Sequence, residues 1–148
     1  MLYRVLLALV LAASAPAAFA KTCSVTIDST DQMKYSQAEI RLGGDCTQVK
    51  LTLRHTGKIA ANVMGHNWVL AKTSDFRPLA IAGGKATLAD SYLPKGDARA
   101  IAHTKVVGGG ESTSITFPTR GLEKGGDYTF FCSFPGHWNV MKGKFVFG

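Results

Sequence analysis

Ser112-Thr113-Ser114-Ile115-Thr116-Phe117 puts Thr113, Ile115 and Phe117 on one side of an extended chain and Ser112, Ser114 and Thr116 on the other. A period of two is the signature of a strand with one face in a core and one in water. Working outward, Ser24-Val25-Thr26-Ile27 and Val49-Lys50-Leu51-Thr52-Leu53 repeat the pattern, and shorter runs follow at Glu39–Leu42, His66–Leu70, Arg99–Val107, Tyr128–Cys132 and Lys144–Phe147. Eight strand candidates separated by glycine or acidic turns predict an all-β fold, an antiparallel sandwich or barrel. The exception is an excursion over residues 73–96. Ser74 or Asp75 is a possible helix cap, but Pro78 and Gly83-Gly84 interrupt the pattern, so a short helix is expected only across Leu79 to Leu88, outside the sheets.

The chain has 148 residues, 46% of them hydrophobic, and a formal charge of +7. That is enough for one buried core and too little for a two-domain nucleotide-binding enzyme. Gly108-Gly109-Gly110 lacks the Lys-Ser/Thr of a phosphate loop and reads as a hairpin turn. No apolar run reaches the roughly 18 residues needed to span a bilayer. Residues 1–20 instead read as a secretory signal peptide, with Arg4 before an apolar run and small residues at Ala18 and Ala20, cut before Lys21. The remaining domain, 21–148, carries +6, because Arg4 is the only charge removed. Export, and the lack of a basic stripe, argue against nucleic acid as a partner.

Export also permits disulfides, and three cysteines allow one bridge with one thiol left over. Cys23 opens the first strand and Cys46 follows the Gly43-Gly44-Asp45 turn, so these two can meet; counting alone leaves Cys23–Cys132 and Cys46–Cys132 open. Cys132 has chemical company that the others lack. In Cys132-Ser133-Phe134-Pro135-Gly136-His137-Trp138-Asn139-Val140-Met141 a thiol, an imidazole and a thioether follow at Cys-x4-His-x3-Met, with Pro135-Gly136 supplying a turn that doubles the chain back. Gly65-His66-Asn67 offers a second imidazole at the start of another strand. Two His, one Cys thiolate and a distant Met form the donor set of blue-copper electron-transfer sites: sulfur favours Cu(I), imidazole accepts Cu(II), and a trigonal arrangement serves both. Structural zinc would call for paired Cys-x2-Cys spacing, which this sequence lacks.

These motifs, with Cys23-Ser24-Val25, Asp31-Gln32-Met33, Asn62–Leu70, Ile101–Lys105 and Met141-Lys142-Gly143, resemble the azurins, small periplasmic copper proteins of the cupredoxin family. The resemblance covers essentially all of residues 21–148 and implies an eight-stranded Greek-key sandwich. It implies one copper ion, held by His66, Cys132 and His137, with Met141 as a long axial ligand and the Gly65 carbonyl opposite. Asn67, Ser133 and Phe134 would form the next layer, Asn67 tying the ligand loop and tuning the Cys132 sulfur. Cys23 and Cys46 become the disulfide. His55 is expected to be a partly enclosed, pH-responsive neighbour of the site and His103 a surface residue; neither is expected to be a ligand. Met33, Ile59, Val63, Met64, Phe134, Pro135 and Trp138 would make an apolar docking patch around the edge of His137. Trp138 is placed there because little core remains after a tight ligand loop to receive it. Trp138, Ala61 and the Pro78/Gly83-Gly84 region depart from the better-known pattern.

The function implied is that of an electron carrier rather than an enzyme. It would cycle Cu(I)/Cu(II) in the periplasm as a monomer or in weak transient complexes, with no membrane insertion once the signal is cut. Implied partners are periplasmic redox proteins, such as c-type cytochromes, a copper nitrite reductase or an amine dehydrogenase. The rival function is copper storage or delivery without redox turnover.

Overall fold

The computed structural model describes residues 20–148, so the expected signal peptide lies outside the described residues apart from Ala20. Among the described residues, nine strands form two sheets. Strands β1 (Thr22–Thr30), β2 (Lys34–Tyr35), β4 (Gln48–His55) and β7 (Ser112–Pro118) make one, in the order β2-β1-β4-β7. The other is β3 (Glu39–Leu42), β9 (Lys142–Phe147), β8 (Tyr128–Phe131), β5 (Val69–Lys72) and β6 (Ala102–His103), in the order β3-β9-β8-β5-β6. Eight of these fall on the expected runs; β2 has two residues and no periodicity to betray it. The sheets are mixed rather than antiparallel, since β1 runs parallel to β4 and β3 parallel to β9. Alternation is the same in either direction, so the pattern could not distinguish them. The Gly108-Gly109-Gly110 turn is likewise not a hairpin: it carries the chain from the sheet of β6 to that of β7.

The inward positions of both sheets meet in one cluster. Ile27, Val49, Leu51, Leu53 and Phe117 face Ile40, Leu70, Phe130, Phe145 and Phe147, with Trp68 wholly enclosed among them. Cys23 and Cys46 are bridged, their Cα atoms 5.7 Å apart, which fastens the start of β1 to the entry of β4.

Strand β5 breaks the alternation. Val69, Leu70 and Ala71 are all buried, because helix α2 (Thr73–Gly83), which follows α1 (Ala61–Met64) in chain order, covers the outer face of the second sheet. Phe76, Leu79 and Ala80 of α2 pack with Val69, Ala71 and Phe131 in a second cluster. The helix therefore starts six residues before the expected Leu79 and ends at Gly83 rather than Leu88. Pro78 lies inside it, in the second turn, on the exposed side. The lost N–H and the ring there cost helix stability, and burial of the apolar face outweighs it.

Candidate metal centre

The three donors come from two places in the fold. His66 stands just before β5, where its N–H and C=O both pair with Val107 (2.9 and 2.8 Å). Cys132 and His137 open and close a loop between β8 and β9. The His137 N–H donates to the Phe134 carbonyl across Pro135-Gly136, and Gly136 has φ +83°, so this is a turn in which only a glycine sits without strain. A 3-10 turn, His137–Asn139, then brings the Val140 and Met141 N–H groups onto the His137 carbonyl. Cys132 N–H donates to the Met141 carbonyl at 3.0 Å and closes the loop at its base.

This brings His66, Cys132 and His137 together, with one donor atom of each within 4.8 Å of the others and all three residues buried. Cys132 Sγ lies 3.8 Å from His66 Nδ1 and 3.7 Å from His137 Nδ1. Donors held about 2.0–2.3 Å from one ion in a trigonal plane would stand at such separations. The His66 Nε2–H donates to the Thr30 carbonyl at 2.8 Å. A carbonyl can only accept, so the proton sits on Nε2 and the Nδ1 lone pair faces the thiol. Burial, with His55 and His137 nearby, brings the His66 pKa down to about 4, against the opposing pull of Thr30 and Asp31. Burial also lowers that of His137. Burial pushes the Cys132 thiol up to about 12, against backbone N–H groups of Asn67 and Phe134 that favour the thiolate. Two neutral imidazoles and a sulfur in a dry site suit a soft or borderline metal that displaces the thiol proton.

Around the donors, Asn67 accepts from the Ser133 N–H (2.9 Å) and donates to Ser133 Oγ (2.8 Å) and the Ser91 carbonyl (3.1 Å). Phe134 stacks on His137, ring centroids 4.5 Å apart. Gly65 carries its carbonyl 4.0 Å from Cys132 Sγ. A Cβ on Gly65 would lie 2.2 Å from the Ala61 carbonyl of α1, so this backbone position has no room for a side chain. Met141 is buried beside Cys132. Five contributors had no signal in the sequence: Thr30, Val107, Ser91, Tyr92 and Tyr35. The Tyr35 hydroxyl donates to the Asn67 carbonyl.

The remaining expected residues are distributed unevenly. Asp31 accepts from the Lys58 N–H at 2.8 Å and so ties the turn carrying Met33 to the loop carrying Ile59. Ile59, Val63 and Pro135 are exposed, Met33, Met64 and Phe134 half-buried, and His137 only 5% exposed. Trp138 does find core to receive it: half-buried, its ring meets Phe76 of α2 edge-on at 6.1 Å, with the Arg77 guanidinium 6.0 Å above it. The premise for an open Trp138 failed because the sequence placed no helix at residues 76–77. His55 is fully buried rather than partly enclosed, stacked on His66 with centroids 4.5 Å apart. Among the described residues neither of its ring nitrogens has a hydrogen-bond partner, and Asp31 is 3.7 Å away. His103 lies on the surface.

Residues 21–148 match the family of copper binding proteins of the plastocyanin/azurin type. The chain is 53% identical over 137 residues to an azurin of Bordetella pertussis, covering 93% of this chain and 91% of that one. With an azurin of Achromobacter denitrificans it shares 48% over 143 residues, 97% and 96% of the two. An azurin structure from the obligate methylotroph Methylomonas sp. strain J superposes with a TM-score of 0.82 at 39% identity, over 85% of this chain and 98% of that one. A buried His66–Cys132–His137 cluster at one end of a two-sheet sandwich is thus the place for one copper ion, and the chain belongs to the plastocyanin/azurin family.

Proposed function

We propose that this protein is an exported one-electron carrier that cycles between Cu(I) and Cu(II) and passes electrons between periplasmic redox proteins, without enzymatic turnover of its own. The observation that carries it is the convergence of His66 Nδ1, Cys132 Sγ and His137 Nδ1 on one buried point. Met141 and the Gly65 carbonyl would add weaker contacts to the same ion. Such a donor set serves both oxidation states with little rearrangement. Export rests on the signal-peptide reading of residues 1–20, and the family match begins at Lys21, the residue after the expected cut.

The docking surface is the apolar patch of Met33, Ile59, Val63, Met64 and Pro135, with the half-buried Trp138 at its margin, and His137 is the point of electron exit. Its partners carry acidic surfaces that answer the +6 charge of residues 21–148. Transfer rates to a c-type cytochrome should fall as salt rises. A flat ionic-strength series would remove charge from the recognition and leave the apolar patch alone.

The visible spectrum of the copper-loaded protein tests the whole reading. An intense thiolate-to-Cu(II) absorption, one copper per chain, bleached by a reductant and restored by an oxidant, is expected. A colourless Cu(II) form, or one that releases copper on reduction, would identify a storage or delivery protein instead.

A further inference from the structure

Ser91 and Tyr92 stand in the excursion between β5 and β6 with φ of 56° and 49°. Two consecutive non-glycine residues in the left-handed region are disfavoured and persist only where their surroundings over-determine them. Here three local bonds hold them: Ser91 N–H to the Leu88 carbonyl, Tyr92 N–H to that of Thr87, and Leu93 N–H to that of Asp90. From outside, α2 presses on the same turn. A Cβ built on Gly83 would lie 2.2 Å from the Tyr92 carbonyl oxygen, whereas one on Gly84 would meet only the Ile81 carbonyl, at 3.3 Å.

The conformation aims both residues at the metal centre. The Ser91 carbonyl turns inward and accepts from Asn67 Nδ2 (3.1 Å) and Ser133 Oγ (2.6 Å). Asn67 in turn holds the Ser133 N–H, next to Cys132. The Tyr92 ring meets Phe134 edge-on at 5.0 Å, and Phe134 stacks on His137. One turn therefore bears on the surroundings of both donors of the ligand loop.

We propose that Ser91 and Tyr92 are positioning residues: helix α2, through Gly83 and this turn, sets the placement of the Cys132–His137 loop and thereby the balance between Cu(I) and Cu(II). The second half rests on the copper reading above; the first half does not. Asn67 and Ser133, beside the Cys132 sulfur, and Phe134, against the His137 ring, all take their places from this turn, so a slackened loop alters the surroundings of both donors and shifts that balance.

The test uses Gly83→Ala against its neighbour Gly84→Ala, and Ser91→Val, whose branched side chain resists positive φ, against Ser91→Gly, which accepts it. In the copper-free protein, hydrogen exchange at the Ser133 amide should quicken about tenfold in Gly83→Ala and Ser91→Val, and change less than about twofold in the two controls. Exchange in β4 and β7 should not change. In the copper-loaded protein, the Cu(II):Cu(I) ratio at the parent's midpoint should shift about threefold in the first pair only. Equal behaviour of Gly83→Ala and Gly84→Ala, and of Ser91→Val and Ser91→Gly, would overturn the proposal, as would exchange that quickens throughout both sheets. Should Gly83→Ala fail to fold, the Ser91 pair decides alone. Absence of copper binding would overturn the electron-carrier reading, while the copper-free exchange would still decide whether the turn holds the loop.

Discussion

Acid should unfold the copper-free protein through His66. The ring is fully buried, and its pKa of about 4 lies below the ordinary histidine value of 6.5. Below pH 6.5 the unfolded chain takes up a proton at this residue while the folded chain refuses it until about pH 4. Stability is therefore present above the unfolded value and lost as pH falls. Integrating the difference in bound protons from pH 7 to pH 4 gives a loss of about 3 kcal/mol from this one ring. Against the 5–15 kcal/mol total of ordinary domains, that is a large share. In urea it would move the unfolding midpoint by roughly 1–3 M. The assay is urea unfolding of the copper-free protein at pH 7 and pH 4, compared with His66→Asn, which has no titrating ring. His137, also lowered by burial, contributes with the same sign in both proteins, so the difference between them reports the His66 ring together with its coupling to His137. With copper on Nδ1 and the Nε2–H already given to Thr30, the loaded protein has no vacant nitrogen on this ring, and the acid step should disappear until the metal is displaced. If parent and His66→Asn lose the same stability to within about 1 kcal/mol, the ring is not buried as a neutral base and the reasoning fails.

The buried thiol gives a second pH-dependent outcome. With its pKa near 12, copper-free Cys132 should react with a neutral thiol reagent at pH 7 at least about a thousandfold more slowly than a free cysteine, and copper loading should release one proton from it, counted by pH-stat. Replacing Cys23 and Cys46 together by Ala should cost roughly 3 kcal/mol in denaturant unfolding, while the visible spectrum of the loaded protein stays the same. Gly65→Ala should destabilise and broaden the spectrum, because the new methyl has to displace the Ala61 carbonyl or Val106; a variant with the parent's melting temperature and absorption maximum would contradict the close approach.

The fold was legible where burial is one-sided. Val49, Leu51 and Leu53 in β4 are all wholly buried, and the polar residues between them face out, so the period of two reported the environment faithfully. It failed where both faces are covered. Val69-Leu70-Ala71 reads as a plain apolar run, and nothing local announces that a helix lies over it. That helix was itself obscured by Pro78, which signals a break by its local chemistry but is tolerated because Phe76, Leu79 and Ala80 gain a core. At the metal centre, side-chain donors could be found by type and spacing. The groups that aim them could not, since the carbonyls of Thr30 and Ser91 and the backbone pair at Val107 act through the main chain. A backbone group has no letter in the sequence. The premise that little core remains to receive Trp138 failed for a related reason: its neighbours Phe76 and Arg77 are remote in the chain and depend on the helix that was misplaced.

These backbone groups also account for how the site could exchange electrons rapidly. Each donor is fastened by bonds between protein atoms: His66 by its pair with Val107 and by Thr30, Cys132 by the Met141 carbonyl, and His137 by Phe134 on one side and Val140 and Met141 on the other. Val107 and Met141 are buried, so the hydrogen bonds made with them compete little with water and loosening one leaves a desolvated partner behind. A metal entering such a frame accepts the positions offered. Because Cu(I) and Cu(II) prefer different geometries, a flexible site would relax toward each in turn, and every electron would have to wait for that rearrangement. On the proposed electron-carrier reading, a frame held by several independent bonds would resist both relaxations and keep the two oxidation states close in structure. Rigidity here lies in the second row of contacts, so substitutions at Asn67 or Ser133, which touch no metal, should slow electron self-exchange even where all of the donors remain in place.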